Sequence, residues 1–508
     1  MFYTRVAHAL ALGAAVMVIA GGIIPVQAKP GSSSNDYQPR KVIIVHTNDI
    51  HGNVAPDNKG RGGLVHVATI VNKLRAGNPK EVIYLDAGDV AQGTAVSNTF
   101  QGAPTFAGIA AMKPAVGTIG NHEFDWGIKA MKEMTAKAGY PFVLANLYDA
   151  ETGSLLFEPY RIVEVNGVKL GIIGIIDEAT PKFVKKGNTD GLVFANPSET
   201  VRKYLPKMRA DGAQLIVALT HNGFENDKQL AANVPEIDLI VGGHSHTQLD
   251  EPVNVGGHTW IVQTGKYGRN VGVEEMLISP FNYKIIGFNG RLIKVDKEAN
   301  IEDDPEVAAI VKKYDAKIRP QMEVVVGALG GELIKKCADG EGDGSLGNAM
   351  CEALRVKTGA DVAVYNYGGI RVDSMPAGKV TRGAVYQFLP FDDQVCRMEI
   401  QGKYIQELLD QASKFEQGPL QTAGITCTLD KSNKKAIDVK IGGKPLDPEK
   451  TYILATTEFL CGGGDGFSAL SKGRIIDRYD FTRDVFIDYL DDFKVLEVPA
   501  TGNIKIVE

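Results

Sequence analysis

Five short polar segments close hydrophobic runs in the first half of this chain, and each carries residue types that bind metal ions. They are Asp49-Ile50-His51, Gly88-Asp89, Gly120-Asn121-His122-Glu123, Thr220-His221-Asn222 and Gly243-His244-Ser245-His246. Aspartate and histidine ligate Zn, Mn and related divalent cations, and an asparagine oxygen can complete a coordination shell. A carboxylate set between two such cations bridges them, and a hydroxide held on the other side becomes a nucleophile. Asp89, which follows the run Val82 to Leu85, is the candidate bridge. Taken singly, each motif has an ordinary structural explanation, since Asp-x-His is a common loop pattern and His-x-His is only somewhat more specific. Five of the nine histidines fall in these motifs, however, all at the ends of strand-like runs. That joint occurrence points to a two-metal hydrolase site.

His122 has a separate role. It directly follows a candidate ligand, so its ring lies beside the metals without being bound, and Asp125 three residues on can fix its tautomer. A positioned imidazolium can stabilise a charged transition state or give a proton to a departing oxygen. His46 fits a core or supporting position, His66 sits in an apolar helical pattern, and His258 lies in a turn-rich stretch.

The runs before the motifs, Lys41 to His46, Glu81 to Leu85, Ala115 to Ile119, Leu215 to Leu219 and Ile237 to Val241, are rich in β-branched residues and read as buried strands. Helical stretches such as Leu64 to Leu74 and Pro197 to Met208 alternate with them, which predicts an α/β domain over residues 41–300. Asn166-Gly167 between two apolar alternating runs, Tyr160 to Ile176, predicts a hairpin. Asp303 to Arg319 reads as a linker helix starting at Pro305, within a 301–322 connection. From there residues 323–508 form an α+β unit: a helix over Gly347 to Thr358, a strand over Asp361 to Asn366, a helix over Gly402 to Phe415 and a closing strand pair near Thr451 to Thr457.

With 508 residues the chain exceeds one ordinary core, and a net charge of −6 argues against nucleic acid as the main partner. Residues 1–28 have the form of a signal peptide: Arg5, an apolar stretch from Ala9 to Ile24, and Val26-Gln27-Ala28 as a small-x-small cleavage site. Residues 29–40 then read as a disordered leader, and the mature chain as exported, periplasmic or secreted, with no stable membrane anchor. The five cysteines, Cys337, Cys351, Cys396, Cys427 and Cys461, fit one or two disulfides in an oxidising compartment, with one thiol over.

Two features of the second half suit a nucleotide. Asn366-Tyr367-Gly368-Gly369-Ile370-Arg371 places an arginine, a bidentate phosphate binder, after a flexible turn. In Phe459-Leu460-Cys461-Gly462-Gly463-Gly464-Asp465, glycines allow close backbone approach and Asp465 can accept hydrogen bonds from ribose hydroxyls. Neither a Rossmann fingerprint nor a P-loop is present.

On this ordered set of motifs the chain resembles the secreted 5'-nucleotidases over nearly all its length. The resemblance implies an α/β fold with an N-terminal αββα metallophosphoesterase sandwich, the linker helix and an α+β C-terminal nucleotide-binding domain. It implies one divalent ion (Zn, Mn or similar) on Asp49, His51, Asp89 and His246, and a second on Asp89, Asn121, His221 and His244. It implies the His122–Asp125 dyad, and a nucleotide base held between Phe391 and Phe459. The expected activity is hydrolysis of nucleoside 5'-monophosphates. Phosphodiester or pyrophosphate cleavage on the same metals, or hydrolysis of sulfur compounds, is the nearest alternative, and a noncatalytic nucleotide-binding surface protein is another. Two departures stand out. Asp393 occupies a position where some relatives carry asparagine, and residues 337–347 lack the arginine many relatives carry, leaving Lys335 and Lys336 as the nearest cations.

Overall fold

The computed structural model describes residues 38–336, 342–415 and 418–507. The signal segment 1–28, the leader up to residue 37 and Cys337 lie outside the described residues.

The N-terminal half packs two sheets face to face. One orders its strands Ile285–Lys294, Asn270–Ile278, Arg40–Thr47, Val82–Asp86 and Val116–Gly117. The other orders Val253–Val255, Thr259–Val262, Leu239–Val241, Leu215–His221, Val168–Ile176 and Tyr160–Val165. Alternation explains the layering. Val42 and Ile44 point between the sheets and pack with Leu170, Val217 and Leu239, whereas Ile43 and Val45 point outward onto the helices Leu64–Gly77 and Ala103–Ala111. Helices Pro197–Ala210 and Phe224–Asn233 cover the outer face of the second sheet through Val201, Met208 and Leu230. The result is an αββα sandwich.

The strand Arg40–Thr47 pairs parallel with Val82–Asp86 and antiparallel with Asn270–Ile278. In the second sheet Val168–Ile176, Leu215–His221 and Leu239–Val241 run parallel. Their carboxyl ends therefore lie side by side, which is where the polar segments emerge. The run at Ala115 to Ile119 forms only the two-residue strand Val116–Gly117, because it bends at once into Gly120. Asn166 and Gly167 take φ 48° and 74°, the left-handed pair of a tight hairpin turn that sets Val165 opposite Val168.

The helix Pro305–Met322 starts with Pro305 in its first turn and Asp304 as N-cap, whose carboxylate accepts from Glu306 N and Val307 N at 3.1 Å. It leads into a C-terminal half built on the strand order Gln421–Ala423, Val362–Tyr365, Thr451–Thr457, Gln394–Gln401 and Arg474–Phe481. Helices Ser345–Thr358 and Thr482–Phe493 cover one face and Gly402–Ala412 the other. Thr451–Thr457 does not close the sheet as its place in the sequence led us to expect. It is the central strand, parallel to Val362–Tyr365 and antiparallel to Gln394–Gln401, buried on both sides. The disulfide expectation also fails for the four described cysteines: Cys351, Cys396, Cys427 and Cys461 are free, each buried in an apolar cluster. Sheet packing already immobilises the segments that carry them.

Gly174, in the middle of the strand Val168–Ile176, illustrates how tightly the sandwich is packed, since a Cβ there would lie 1.9 Å from Val143 O. Gly174→Ala is expected to destabilise the protein by about 1–3 kcal/mol in urea unfolding. Gly77→Ala, which meets nothing within 4 Å, should be neutral.

Candidate active site

Asp49 and Asp89 sit at the carboxyl ends of adjacent strands, fully buried, with 0% and 1% of their surface exposed. Asp49 Oδ2 accepts from Asn48 Nδ2 at 2.6 Å and His244 N at 3.0 Å, which leaves Oδ1 facing His246 Nε2 at 3.2 Å. Asp89 Oδ1 accepts from His122 N at 2.9 Å, leaving Oδ2 to face His221 Nε2 at 3.1 Å and His51 Nε2 at 3.7 Å. His221 Nδ1 donates to Ala87 O at 2.8 Å, which selects the tautomer with a free Nε2 lone pair. Donor atoms of Asp49, His51, Asp89 and His246 converge within 4.8 Å of one another, as do those of Asp89, His221 and His244. Asn121 Oδ1 lies 2.8 Å from His244 Nδ1, beside the second group.

These residues fit two cations on their own chemistry. Asp49 Oδ1 and His221 Nε2 are buried with no hydrogen-bond partner, and the Nε2 atoms of His51 and His246 face each other at 2.9 Å. Burial pushes His51 well below the usual imidazole range, and Arg371 adds to the shift, so its ring is a neutral lone-pair donor. The buried His/Asp cluster is that of a binuclear metal site.

The backbone is shaped to make this convergence. Asp49, His51, Asp89, His244 and His246 all take positive φ, 49° to 78°, a strained conformation that surrounding structure must hold. Gly120 permits one close approach, because a Cβ there would lie 2.1 Å from Asp89 Oδ1. Glu123 supplies the hold. Its carboxylate accepts from Asp89 N at 3.0 Å, Val90 N at 3.0 Å, Ala91 N at 3.1 Å and Gly120 N at 2.7 Å. Burial, then the charge of Asp89, raises its pKa to about 7.

His122 Nδ1 lies 2.8 Å from Asp125 Oδ2, so its Nε2 is the free ring atom. Burial works against its charge, yet Asp125 and Asp89 outweigh burial and raise its pKa. Its ring is 5.6 Å from that of Phe391, which belongs to the other domain.

One cavity of about 860 Å³ joins the two domains, and it is lined by His122, His244, Arg371, Phe391, Phe459 and Asp465 among others. Arg371 Nη2 reaches to 3.0 Å from His51 Nε2, and Tyr267 OH donates to Arg371 O at 3.3 Å. Lys335 also lines the cavity; its Nζ donates to Ile370 O at 2.7 Å and lies 3.9 Å from the Tyr367 ring centroid, and burial with the charges of Lys266 and Arg371 pushes its pKa well below the usual lysine range. Asn366 Nδ2 donates to Asp465 Oδ2 at 2.6 Å, so these two residues form one polar edge. Gly464 lies against Phe459, where a Cβ would be 2.5 Å from the ring, which explains one glycine of that run. Asp393 Oδ1 accepts from Phe459 N at 3.0 Å and so orients the second aromatic residue.

Glu123, Asn98, Tyr267, Lys185 and Gln92 were not singled out as site residues from sequence. Only Glu123 carried a signal, inside Asn-His-Glu. The others reach the cavity through contacts between loops or domains: Asn98 Nδ2 donates to Pro390 O, and Lys185 pairs with Glu458 at 2.7 Å.

Comparison with known proteins agrees with this geometry. Residues 43–248 match the calcineurin-like phosphoesterase family and residues 325–472 the 5'-nucleotidase C-terminal domain. A 5'-nucleotidase of Vibrio cholerae is 28% identical, covering 97% of this chain and 96% of its own. The protein UshA of Yersinia enterocolitica is 29% identical, over 84% and 86% respectively. The crystal structure of a 5'-nucleotidase precursor from Thermus thermophilus superposes with TM-score 0.84 at 28% identity, over 92% of this chain and 99% of that one. A sulfate thiohydrolase from the same genus shares the fold at 19% identity, with TM-score 0.81 and coverage of 92% and 96%.

Glu123→Ala is expected to weaken divalent-cation binding by about 10- to 100-fold in a metal titration of the stripped protein. Burial raises the carboxyl of Asp393 to about 6, above the unfolded value of about 3.9. The folded state therefore binds more protons between those values, and this group's contribution to stability falls as pH rises from 4 to 6.5. Urea unfolding across that range should show the decline reduced in Asp393→Asn relative to the parent.

Proposed function

We propose that this chain, a metallophosphoesterase that belongs to the 5'-nucleotidase family, hydrolyses nucleoside 5'-monophosphates to nucleoside and phosphate. The observation that carries this reading is one cavity whose wall takes Asp89, His244, His246 and His122 from the first domain and Phe391, Phe459, Asn366 and Asp465 from the second. A phosphate ester on the first set and a nucleoside on the second use every one of these groups.

Two divalent cations, Zn, Mn or similar, would be held by Asp49, His51, Asp89 and His246 and by Asp89, Asn121, His221 and His244. When bound they supply Lewis acidity that polarises the phosphoryl group and activates water. The chain's own residues do the rest. Arg371 meets the phosphoryl oxygens with a planar fork of donors. His122, with Nδ1 held by Asp125, presents Nε2 to the ester oxygen and delivers a proton to the departing nucleoside. Phe391 and Phe459 take the base by stacking, worth about 1–3 kcal/mol and tolerant of base identity. Asp465, oriented by Asn366, accepts from the ribose hydroxyls.

Contacts across the domain boundary, Asn98 with Pro390 and Lys185 with Glu458, tie the two walls of the cavity together. Export is part of this reading, supported by the form of residues 1–28. No helix among the described residues is long and apolar enough to cross a membrane.

A second reading draws on the size of the cavity. Beyond His244 its wall includes Phe183, whose ring is 5.0 Å from that imidazole, and Phe224. That wall has room for a substituent on the phosphate, as in a nucleotide diester or pyrophosphate.

A panel of AMP, other nucleoside monophosphates, a cyclic nucleotide, a nucleotide sugar and NAD separates the readings. AMP turnover should exceed the others, vanish in EDTA and return with Mn or Zn, whereas NAD cleavage above AMP cleavage reverses the order. His122→Ala should lower kcat for AMP by about 10²- to 10⁴-fold, and full activity in that variant contradicts the assigned proton transfer.

A further inference from the structure

Gln92 is only 2% exposed, yet neither Oε1 nor Nε2 of its side chain has a hydrogen-bond partner. A buried primary amide with both ends unmet is costly and rare. Its backbone adds to the cost, with φ 52°, where glycine or asparagine would be the default residue. The strain is imposed from both sides. Glu123 fixes Asp89, Val90 and Ala91 through their N–H groups, and Asn98 Oδ1 accepts from Gly93 N at 3.0 Å. A loop that needed only the turn would not place a long carboxamide between two such anchors.

The residue lines the interdomain cavity together with Asp89, Asn98, His122 and Phe391. Its place in the chain is informative. Asp89, three residues before it, belongs to the His/Asp cluster, while Asn98, six residues after it, holds the carbonyl of Pro390 beside Phe391. Gln92 thus lies in the cavity wall on the segment that runs from the His/Asp cluster to the residue holding Pro390. The oxygens of a phosphoryl dianion only accept hydrogen bonds, so the amide N–H is the complementary group.

We propose that Gln92 is a substrate-contacting residue whose Nε2 donates to a phosphoryl oxygen of the bound ester. The proposal rests on the reading that a phosphate ester occupies this cavity. It assigns the unmet amide a partner that arrives with the substrate, and it accounts for the retained strain, since a group organised for a ligand sacrifices stability of the free protein.

The test compares Gln92→Met, Gln92→Ala and Gln92→Glu with the parent, recording melting temperature, kcat/KM and competitive inhibition by inorganic phosphate. Gln92→Met keeps the shape and removes the unmet polar atoms, so its melting temperature should equal or exceed that of the parent. Its kcat/KM should nevertheless fall by about tenfold or more, as for loss of a hydrogen bond to a charged group. Inhibition by inorganic phosphate should weaken in parallel. Gln92→Ala should follow it, and Gln92→Glu should fall further because a carboxylate then faces the phosphoryl dianion.

Parental kcat/KM and phosphate inhibition in Gln92→Met overturn the proposal. So does a loss of activity that merely tracks a lower melting temperature in both Gln92→Met and Gln92→Ala. The parent is assayed on AMP and p-nitrophenyl phosphate first. Turnover of the second alone rejects the nucleotide reading, and the Gln92 comparison is then decided on that ester and on phosphate inhibition.

Discussion

Two carboxylates, Asp49 and Asp89, are buried between the ends of two packed sheets and ringed by imidazoles, two of which bring their Nε2 atoms within 2.9 Å of each other. Such an arrangement is unfavourable unless opposite charge compensates it, and much of the N-terminal half is organised around that requirement. Parallel strands bring their carboxyl ends together, glycines remove the Cβ atoms that would block the approach, and residues in the left-handed region let the Asp and His side chains converge. Glu123 then ties four backbone N–H groups into one rigid turn. Rigidity here stores the strain needed to hold like groups close, which a loop free to relax would lose.

The second domain divides the work. Its apolar clusters on both faces of the central sheet fix the loops that carry Arg371, Phe391 and Phe459. The first domain brings the His/Asp cluster and His122 to the shared cavity, and the second brings Arg371, Phe391, Phe459 and Asp465. The same overall fold occurs in a sulfate thiohydrolase, so substrate choice must reside in the cavity-lining side chains rather than in the sheets. Asp393 is one such point, since it orients the Phe459 backbone while standing at the cavity wall. Lys335 is another, placing its amine in the same wall as Arg371 while residues 337–347 carry no arginine.

Several elements were legible in the chain because their signals are local. The β-branched run through Val42 to Val45 marks a buried strand, Asn166-Gly167 specifies a tight turn, and Pro305 after Asp304 marks a helix start. The polar segments at strand ends named the residues that converge, since ligand types and their order are written in sequence. Where reading failed, a nonlocal choice decided. Thr451–Thr457 comes late in the chain and is central in the sheet, because strand order depends on which edges pair. The cysteines look available for pairing, yet sheet geometry leaves the four described ones buried and free.

The sequence by itself carried the candidate metal-binding residue types at the strand ends, the His122–Asp125 spacing and the β-branched runs that form the sheets. Tertiary structure alone decided that the two halves share one cavity, that Asn98 and Lys185 bridge it, and that Gln92 is buried with nothing to bond. The physical reason is distance along the chain. Periodicity and short motifs encode contacts within a turn or a strand, but a contact such as Arg371 with His51, 320 residues apart, exists only once two cores have formed and docked.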